Sequence, residues 1–281
     1  MKLSIITINY NNAAGLRRTL DSVAEQIWTD FEHIIIDGGS TDDSVDTIRT
    51  YADMYADKYP IKWVSEPDKG IYDAMNKGIR LATGEYCLFM NGGDCLCNVL
   101  VLEELFRNKF DTDIVSSNVY FVNGKEKTLF CSPEKVSLLY FVRYNLPHQG
   151  TIYKTSIFER FGMYDESYKI IGDYLFNMNA LLNHQSSYTH IELVLALCDM
   201  DGITNNPKYT NAIMDETQRG LSEIFPLYAD CFPIIRGYFQ EKNDQQLQYF
   251  KEFKKTFLFK LIWKIRKKNN FFKKYKNEKF S

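Results

Sequence analysis

No apolar stretch in the 281 residues approaches the roughly 18 needed to cross a bilayer as a helix. The six cysteines include no CxxC pair and no zinc-finger spacing, which argues against a zinc ribbon or a dithiol redox motif. They read instead as reduced, mostly buried thiols of a cytosolic protein. No GxxxxGK[ST] loop, strand-following GxGxxG, HExxH or GxSxG is found, so P-loop, dinucleotide-binding, zincin and α/β-hydrolase chemistries are disfavoured. There is no internal repeat and no low-complexity linker. The start, Met1-Lys2 running into Leu3–Ile8, is too short for a signal-peptide core. A soluble or peripherally bound protein is expected.

What is present is a core-forming chain, 45% apolar, with a net charge of -2 that hides a strong asymmetry. Residues 251–281 hold 12 Lys/Arg against 2 Glu, leaving 22 basic against 34 acidic residues in the rest. Body and tail therefore do different work.

The first half alternates strand and helix patterns. A strand at 3–8 is followed by Leu16, Leu20, Val23, Ala24 and Ile27 at helical spacing, with Asn11 or Asn12 as a cap. A strand to Ile36, a helix capped within Ser40–Asp43, a short strand at 61–64, a helix over Ile71–Ala82 and a strand to Met90 complete the run. This order predicts a parallel sheet with right-handed crossovers. After residue 110 the pattern loosens: a strand at 114–117, a hairpin at Val122–Lys125, Pro147-His148-Gln149-Gly150, a helix start at Gly172-Asp173, a strand at 191–198 and helices beyond Tyr209. The expected organisation is one domain over 1–205, its first half to 110 binding a nucleotide-type ligand and 111–205 a second substrate, then a helical extension over 206–281.

In open α/β sheets, ligands bind beyond the carboxyl ends of strands. Three such loops carry acids. Asp37, in Asp37-Gly38-Gly39-Ser40, can accept hydrogen bonds from a nucleobase imide or ribose, or can simply form the turn and cap a helix. Asp94, in Asn91-Gly92-Gly93-Asp94, can hold Mg²⁺ or Mn²⁺ when a diphosphate supplies further oxygens, with Gly93 letting backbone approach a ligand; it can also be an ordinary loop acid. Glu66-Pro67-Asp68-Lys69-Gly70 places two carboxylates, Asp68 among them, and Lys69 at a third strand-to-helix junction on the same edge; Lys69 can meet a phosphate, or all three charges can form a solvated loop. Asp173 can be a helix cap or a carboxylate base toward a sugar hydroxyl. His148 and Gln149 can line an acceptor pocket or be structural.

Taken in order, Leu3–Asn11, Ile35–Asp42, Asn76–Ile79 and Ala82–Tyr86 leading to Asp94 resemble the family 2 glycosyltransferases of GT-A fold. The resemblance covers 1–110; His148-Gln149, Phe161–Asp165 and Gly172–Tyr174 resemble the family's acceptor-side signature, and nothing is recognised beyond about 205. It implies an α/β protein with a mostly parallel central sheet flanked by helices, acting as an inverting, metal-dependent transferase of sugar from a nucleotide-diphosphate donor, with uridine as the first choice of base. Asp37 then matches the nucleobase residue, near Thr7 and Asn9 at the first strand's end; Asp94 matches the last Asp of the metal motif, and Asp173 the catalytic base. Two departures stand out: Asn91 and Gly93 occupy places where carboxylates are frequent, and Gly172 stands where an acid often precedes the base.

In the tail, Phe253, Phe257, Leu258, Leu261, Ile262 and Ile265 fall at helical spacing among lysines. Such a basic amphipathic helix can lie on an anionic membrane surface at the inner face of the membrane, or dock on the body. Nucleic acid is not expected as a partner of so acidic a body. The reading is a cytoplasmic transferase acting on a glycan or lipid-linked acceptor in surface polysaccharide assembly. A nucleotidyltransferase would need a basic phosphate-gripping loop near the start, where only Arg17-Arg18 are available. A non-catalytic nucleotide-sugar or glycan-binding module is the other rival, given the depleted metal loop.

Overall fold

A computed structural model describes residues 1–200, 202, 204, 206–226, 229, 232–235 and 237. The basic tail from 251 lies outside the described residues. The chain divides into two compact units, Met1–Phe225 and Pro226–Ser281.

The first unit begins β1 (Leu3–Asn9), α1 (Ala13–Ala24), β2 (Phe31–Asp37), α2 (Ser44–Tyr55), β3 (Ile61–Ser65), α3 (Ile71–Leu81) and β4 (Tyr86–Asn91). These four strands are parallel and lie in the order β3-β2-β1-β4. Every residue of β1 and β2 is buried, as expected for strands covered on both faces. Alternation along the strands sends side chains to two cores. Leu3, Ile5, Phe31, Ile35, Leu88 and Met90 pack with α1 and α2 on one face. Ile6, Ile8, Ile34, Ile36, Cys87 and Phe89 pack with α3 on the other. Asn12 caps α1, its Oδ1 accepting from Gly15 N at 3.1 Å.

The second part of this unit runs β5 (Cys95–Leu96), α4 (Val101–Arg107), β6 (Ile114–Asn123), β7 (Glu126–Phe130), α5 (Leu138–Arg143), a 3₁₀ turn at His148–Gly150, β8 (Thr151–Lys154), α6 (Ser156–Phe161), α7 (Gly172–Met178) and β9 (Tyr188–Asp199). β8 lies antiparallel between β4 and β6, and β9 is parallel to β6, so the described strands form one nine-stranded mixed sheet. The hairpin expected near Val122 is present as β6–β7, with Gly124 at φ +57. The strand before it continues from 117 to 123, where β7 pairs with Val119–Asn123 on one side and β9 pairs with Ile114–Val122 on the other, across a register shift at Ser117–Val119.

α8 (Thr210–Ile224) falls within the first compact unit, which extends past the boundary at 205 expected from sequence. The Glu216 carboxylate of α8 accepts from Lys169 N (2.7 Å), Ile170 N (3.0 Å) and Ile171 N (3.3 Å). Glu223 accepts from the Tyr168 hydroxyl at 2.5 Å. No helix among the described residues is long and apolar enough to cross a membrane.

Candidate active site

Parallel pairing aligns the ends of four strands. Asn9 is in register with Asp37, Asp37 with Ser65, and Ile8 with Asn91, so the loops after β1, β2, β3 and β4 leave one edge of the sheet together. Asn9 and Asp37 end β1 and β2, Asp68 and Lys69 lie in the loop after β3, and Gly93 and Asp94 in the loop after β4.

Asp37 is fully buried. Its Oδ1 accepts from Asn9 Nδ2 (3.0 Å) and Ser40 Oγ (2.6 Å), and its Oδ2 accepts from Ser40 N and Ser65 Oγ, both at 2.8 Å. Burial pushes its pKa up, but the Ser40, Asn9 and Ser65 donors outweigh this and hold it below the ordinary carboxylate range. Thr7 is also fully buried, its hydroxyl 2.9 Å from His33 Nε2, inside the sheet rather than in the cleft. Asn9 reaches Asp37 and Ser44 through Nδ2, while its buried Oδ1 has no partner and lies 2.6 Å from where a Cβ on Gly92 would stand.

Asp68 comes to the same place from the next loop. A Cβ on Gly38 would collide with Asp68 Oδ2 and come within 3.3 Å of the Tyr10 ring, so glycine at 38 makes room for both. Asp68 Oδ1 accepts from Gly70 N at 3.0 Å. Burial and the charges of Asp73 and Asp37 raise its pKa against the opposing pull of Gly70 N and Lys77. Tyr10 is 65% exposed beside it, a residue sequence reasoning passed over. Lys69 is exposed, and its N–H donates to Asp73 Oδ2 at 2.9 Å.

Asp94 is 4% exposed. Its Oδ2 accepts from Gln149 Nε2 (2.9 Å) and Asn91 N (3.2 Å), and its Oδ1 from Asp199 N (2.9 Å), which ties together the ends of β4 and β9 and the 3₁₀ turn. Burial raises its pKa; His148, Gln149 and the two backbone N–H groups offset this only in part. Gly93, at φ +121, lies 3.6 Å from Asp199 Oδ2 measured from an added Cβ, and its N–H donates to Thr19 Oγ1 at 2.9 Å. Asp199 also pairs with Arg18 at 3.2 Å.

His148 links this loop to Asp173. Its Nε2 lies 3.1 Å from Asn91 Nδ2 and its Nδ1 3.5 Å from Asp173 Oδ2. Asp173 Oδ1 accepts from the Tyr72 hydroxyl at 3.0 Å, and Oδ2 from Asn145 Nδ2 at 2.9 Å. Burial works to raise its pKa, but His148 and the Tyr72 hydroxyl bring it below the ordinary range, so it is ionised at neutral pH. The turn at 148–149 thus brings together Asp94 and Asp173, two carboxylates pushed in opposite directions. Tyr72, Asn145 and Glu216 were not legible as site residues in the sequence. The one available signal was Gly172, whose missing side chain marks a close approach.

Residues 4–162 match the model of the family described as glycosyl transferase family 2. The chain belongs to glycosyl transferase family 2. This transferase is 31% identical over 207 residues to a PGL/p-HBAD biosynthesis glycosyltransferase of Mycobacterium tuberculosis, covering 72% of the chain and 78% of that relative. It is 34% identical over 131 residues to an uncharacterized glycosyltransferase of Nostoc, covering 46% of the chain and 40% of the relative. Among solved structures, the 1–349 fragment of S. aureus TarS superposes with a TM-score of 0.61 at 20% identity, covering 83% of this chain and 69% of that one. A longer TarS chain gives 0.57 at 22% identity over 71% of this transferase, which spans 37% of that chain's length. The mannosyltransferase PcManGT of Pyrobaculum calidifontis gives 0.58 at 16% identity, covering 82% and 68%. The shared fold is the GT-A type, a central sheet flanked by helices.

Proposed function

We propose that this glycosyltransferase inverts configuration as it moves a hexose-type sugar from a uridine-diphosphate donor to a glycan or lipid-linked acceptor in surface polysaccharide assembly. The observation that carries the reading is the Asp94–Gln149/His148–Asp173 cluster at the carboxyl edge of the sheet. The choice of uridine is supported by TarS structures in complex with UDP and with UDP-GlcNAc. PcManGT in complex with GDP-Man and Mn²⁺ makes guanosine the alternative to test.

Asp173 accepts the proton of the acceptor hydroxyl as that oxygen attacks the anomeric carbon; the nucleoside diphosphate leaves from the opposite side with the electron pair of the broken C–O bond. Asp37, with both oxygens taken by the chain's own donors, holds the loop in place, and Thr7 braces the sheet behind it. Asp68 and the exposed Tyr10 ring then present the carboxylate and stacking face to the base, in place of Asp37. Lys69 flanks the diphosphate.

The residues fit a divalent metal. Asp94 supplies one carboxylate, and the buried Asn91 Oδ1 in the same turn has no partner, so two hard oxygen donors are at hand for Mg²⁺ or Mn²⁺. Among the described residues no group of three or more His, Cys, Asp or Glu gathers around a metal position, so diphosphate and water would complete the set. When bound, the ion offsets charge on the departing diphosphate. The 251–281 tail is proposed to hold the enzyme at an anionic membrane surface.

The test is a thermal-shift screen of nucleoside diphosphates and nucleotide sugars, with and without Mn²⁺, on the wild type and Asp94→Ala. Stabilisation by uridine nucleotides that needs the metal and is lost in the variant is expected, since a ligand at a hundred times its Kd adds about 2.7 kcal/mol. Stabilisation by no nucleotide in folded protein would overturn the reading in favour of a glycan-binding module.

A further inference from the structure

The two oxygens of Asp173 differ in kind of neighbour. Oδ2 faces Asn145 Nδ2, and the orientation of that amide is set from behind: Tyr153 donates to Asn177 Oδ1 (3.0 Å), and Asn177 Nδ2 donates to Asn145 Oδ1 (3.2 Å). Asn145 can therefore only donate. Oδ1 faces the Tyr72 hydroxyl, a group that both donates and accepts. That hydroxyl stands 2.8 Å from the carbonyl oxygen of Ile170 and 3.0 Å from Asp173 Oδ1. One phenolic proton thus has two acceptors within reach.

The geometry points to Tyr72 as a positioning residue that serves Asp173 in both of its protonation states. This rests on the reading of Asp173 as the base. While the carboxylate is ionised, the Tyr72 O–H donates to Oδ1. Once Asp173 has taken the acceptor's proton, that proton can sit on Oδ1 and donate to the phenol oxygen, while the phenolic proton turns to the Ile170 carbonyl. No proton is gained or lost by Tyr72, and Asp173 Oδ1 keeps the phenol as its hydrogen-bond partner in either state.

The arrangement also accounts for Gly172. A Cβ there would lie 2.8 Å from Tyr72 Cε2, so the ring occupies the space that a side chain before the base would need. Burial and the Asp173 charge raise the Tyr72 pKa well above its ordinary value, which keeps the phenol protonated. The titratable groups facing Asp173 among the described residues are Tyr72 from α3, His148 from the 3₁₀ turn, Tyr153 from β8 and Tyr164 from the loop before α7. Both latter phenols are raised by burial, which keeps them protonated.

Tyr72→Phe keeps the ring against Gly172 and removes only the oxygen. The probe is nucleotide release from the nucleotide sugar selected by the thermal screen, with water as acceptor. The expected result is a turnover about tenfold lower with the donor Kd unchanged, and an acid limb of the rate profile moved up by about one pH unit. Persistence of that limb in His148→Gln assigns it to Asp173. Wild-type turnover and limb in Tyr72→Phe, with Asp173→Asn inactive, would overturn the inference alone. Retained turnover in Asp173→Asn would instead remove the base reading on which it stands. A parallel fall of turnover, donor binding and melting temperature would make Tyr72 a packing residue and likewise overturn the inference.

Discussion

Glu216 joins α8 to the segment that leads into the base, and removing its carboxylate has a cost that can be worked from the contacts. It accepts three successive N–H groups, of which those of Ile170 and Ile171 are part-buried. The exposed Lys169 N–H can turn to water, whereas the other two lose a charged acceptor worth about 1.5 kcal/mol each at the low end, or about 3 kcal/mol together. At about 2–4 °C per kcal/mol for a chain of this size, Glu216→Ala should melt about 6–12 °C lower. Because Ile171 immediately precedes α7, turnover should fall as well, while donor affinity, set at the other loops, should not. Glu216→Gln, which keeps one acceptor oxygen, should lie between. Calorimetry and nucleotide-release rates on the three proteins check this. A Glu216→Ala protein melting within about a degree of wild type, with unchanged turnover, would refute the reasoning that α8 braces the base.

Two further expectations concern other parts of the molecule. His33 is fully buried between Thr7 and Tyr51, and burial pushes its pKa down from 6.5 to about 3. Its folded pKa is depressed, so stability is full above pH 6.5 and declines by about 1.4 kcal/mol per pH unit as pH falls toward 3; denaturant melts from pH 7 to 5 should show this slope in the wild type and lose it in His33→Gln. Deleting 251–281 should release the protein from anionic vesicles in a flotation assay while leaving its melting temperature unchanged, and loss of folding would mean that the tail packs on the body.

The first half of the fold was legible because local pattern and global pairing agree there: each apolar run of β1, β2 and β4 ends in a turn, and each helix shows one apolar face. The carboxylates at those strand ends were legible for the same reason. Their separate roles were not. Asp37 and Asp68 read alike as acids in glycine-bearing loops, and only the three-dimensional contacts show Asp37 saturated by Asn9, Ser40 and Ser65 while Asp68 stands over Gly38. Tyr72, Asn145 and Glu216 escaped because their partners are 101, 28 and 45–47 residues away. Periodicity carries no information about such pairings. Of the two strands that pair with the far half of β6, β9 lies far along the chain, which is one reason its extent escaped.

The most direct test of the central claim is to compare wild type and Asp173→Asn for donor binding by calorimetry and for nucleotide release in the presence of Mn²⁺. Equal donor affinity is expected, with a release rate lower by about a hundredfold or more, as follows when a general base is removed. Near-wild-type release by Asp173→Asn, with binding intact, would contradict it.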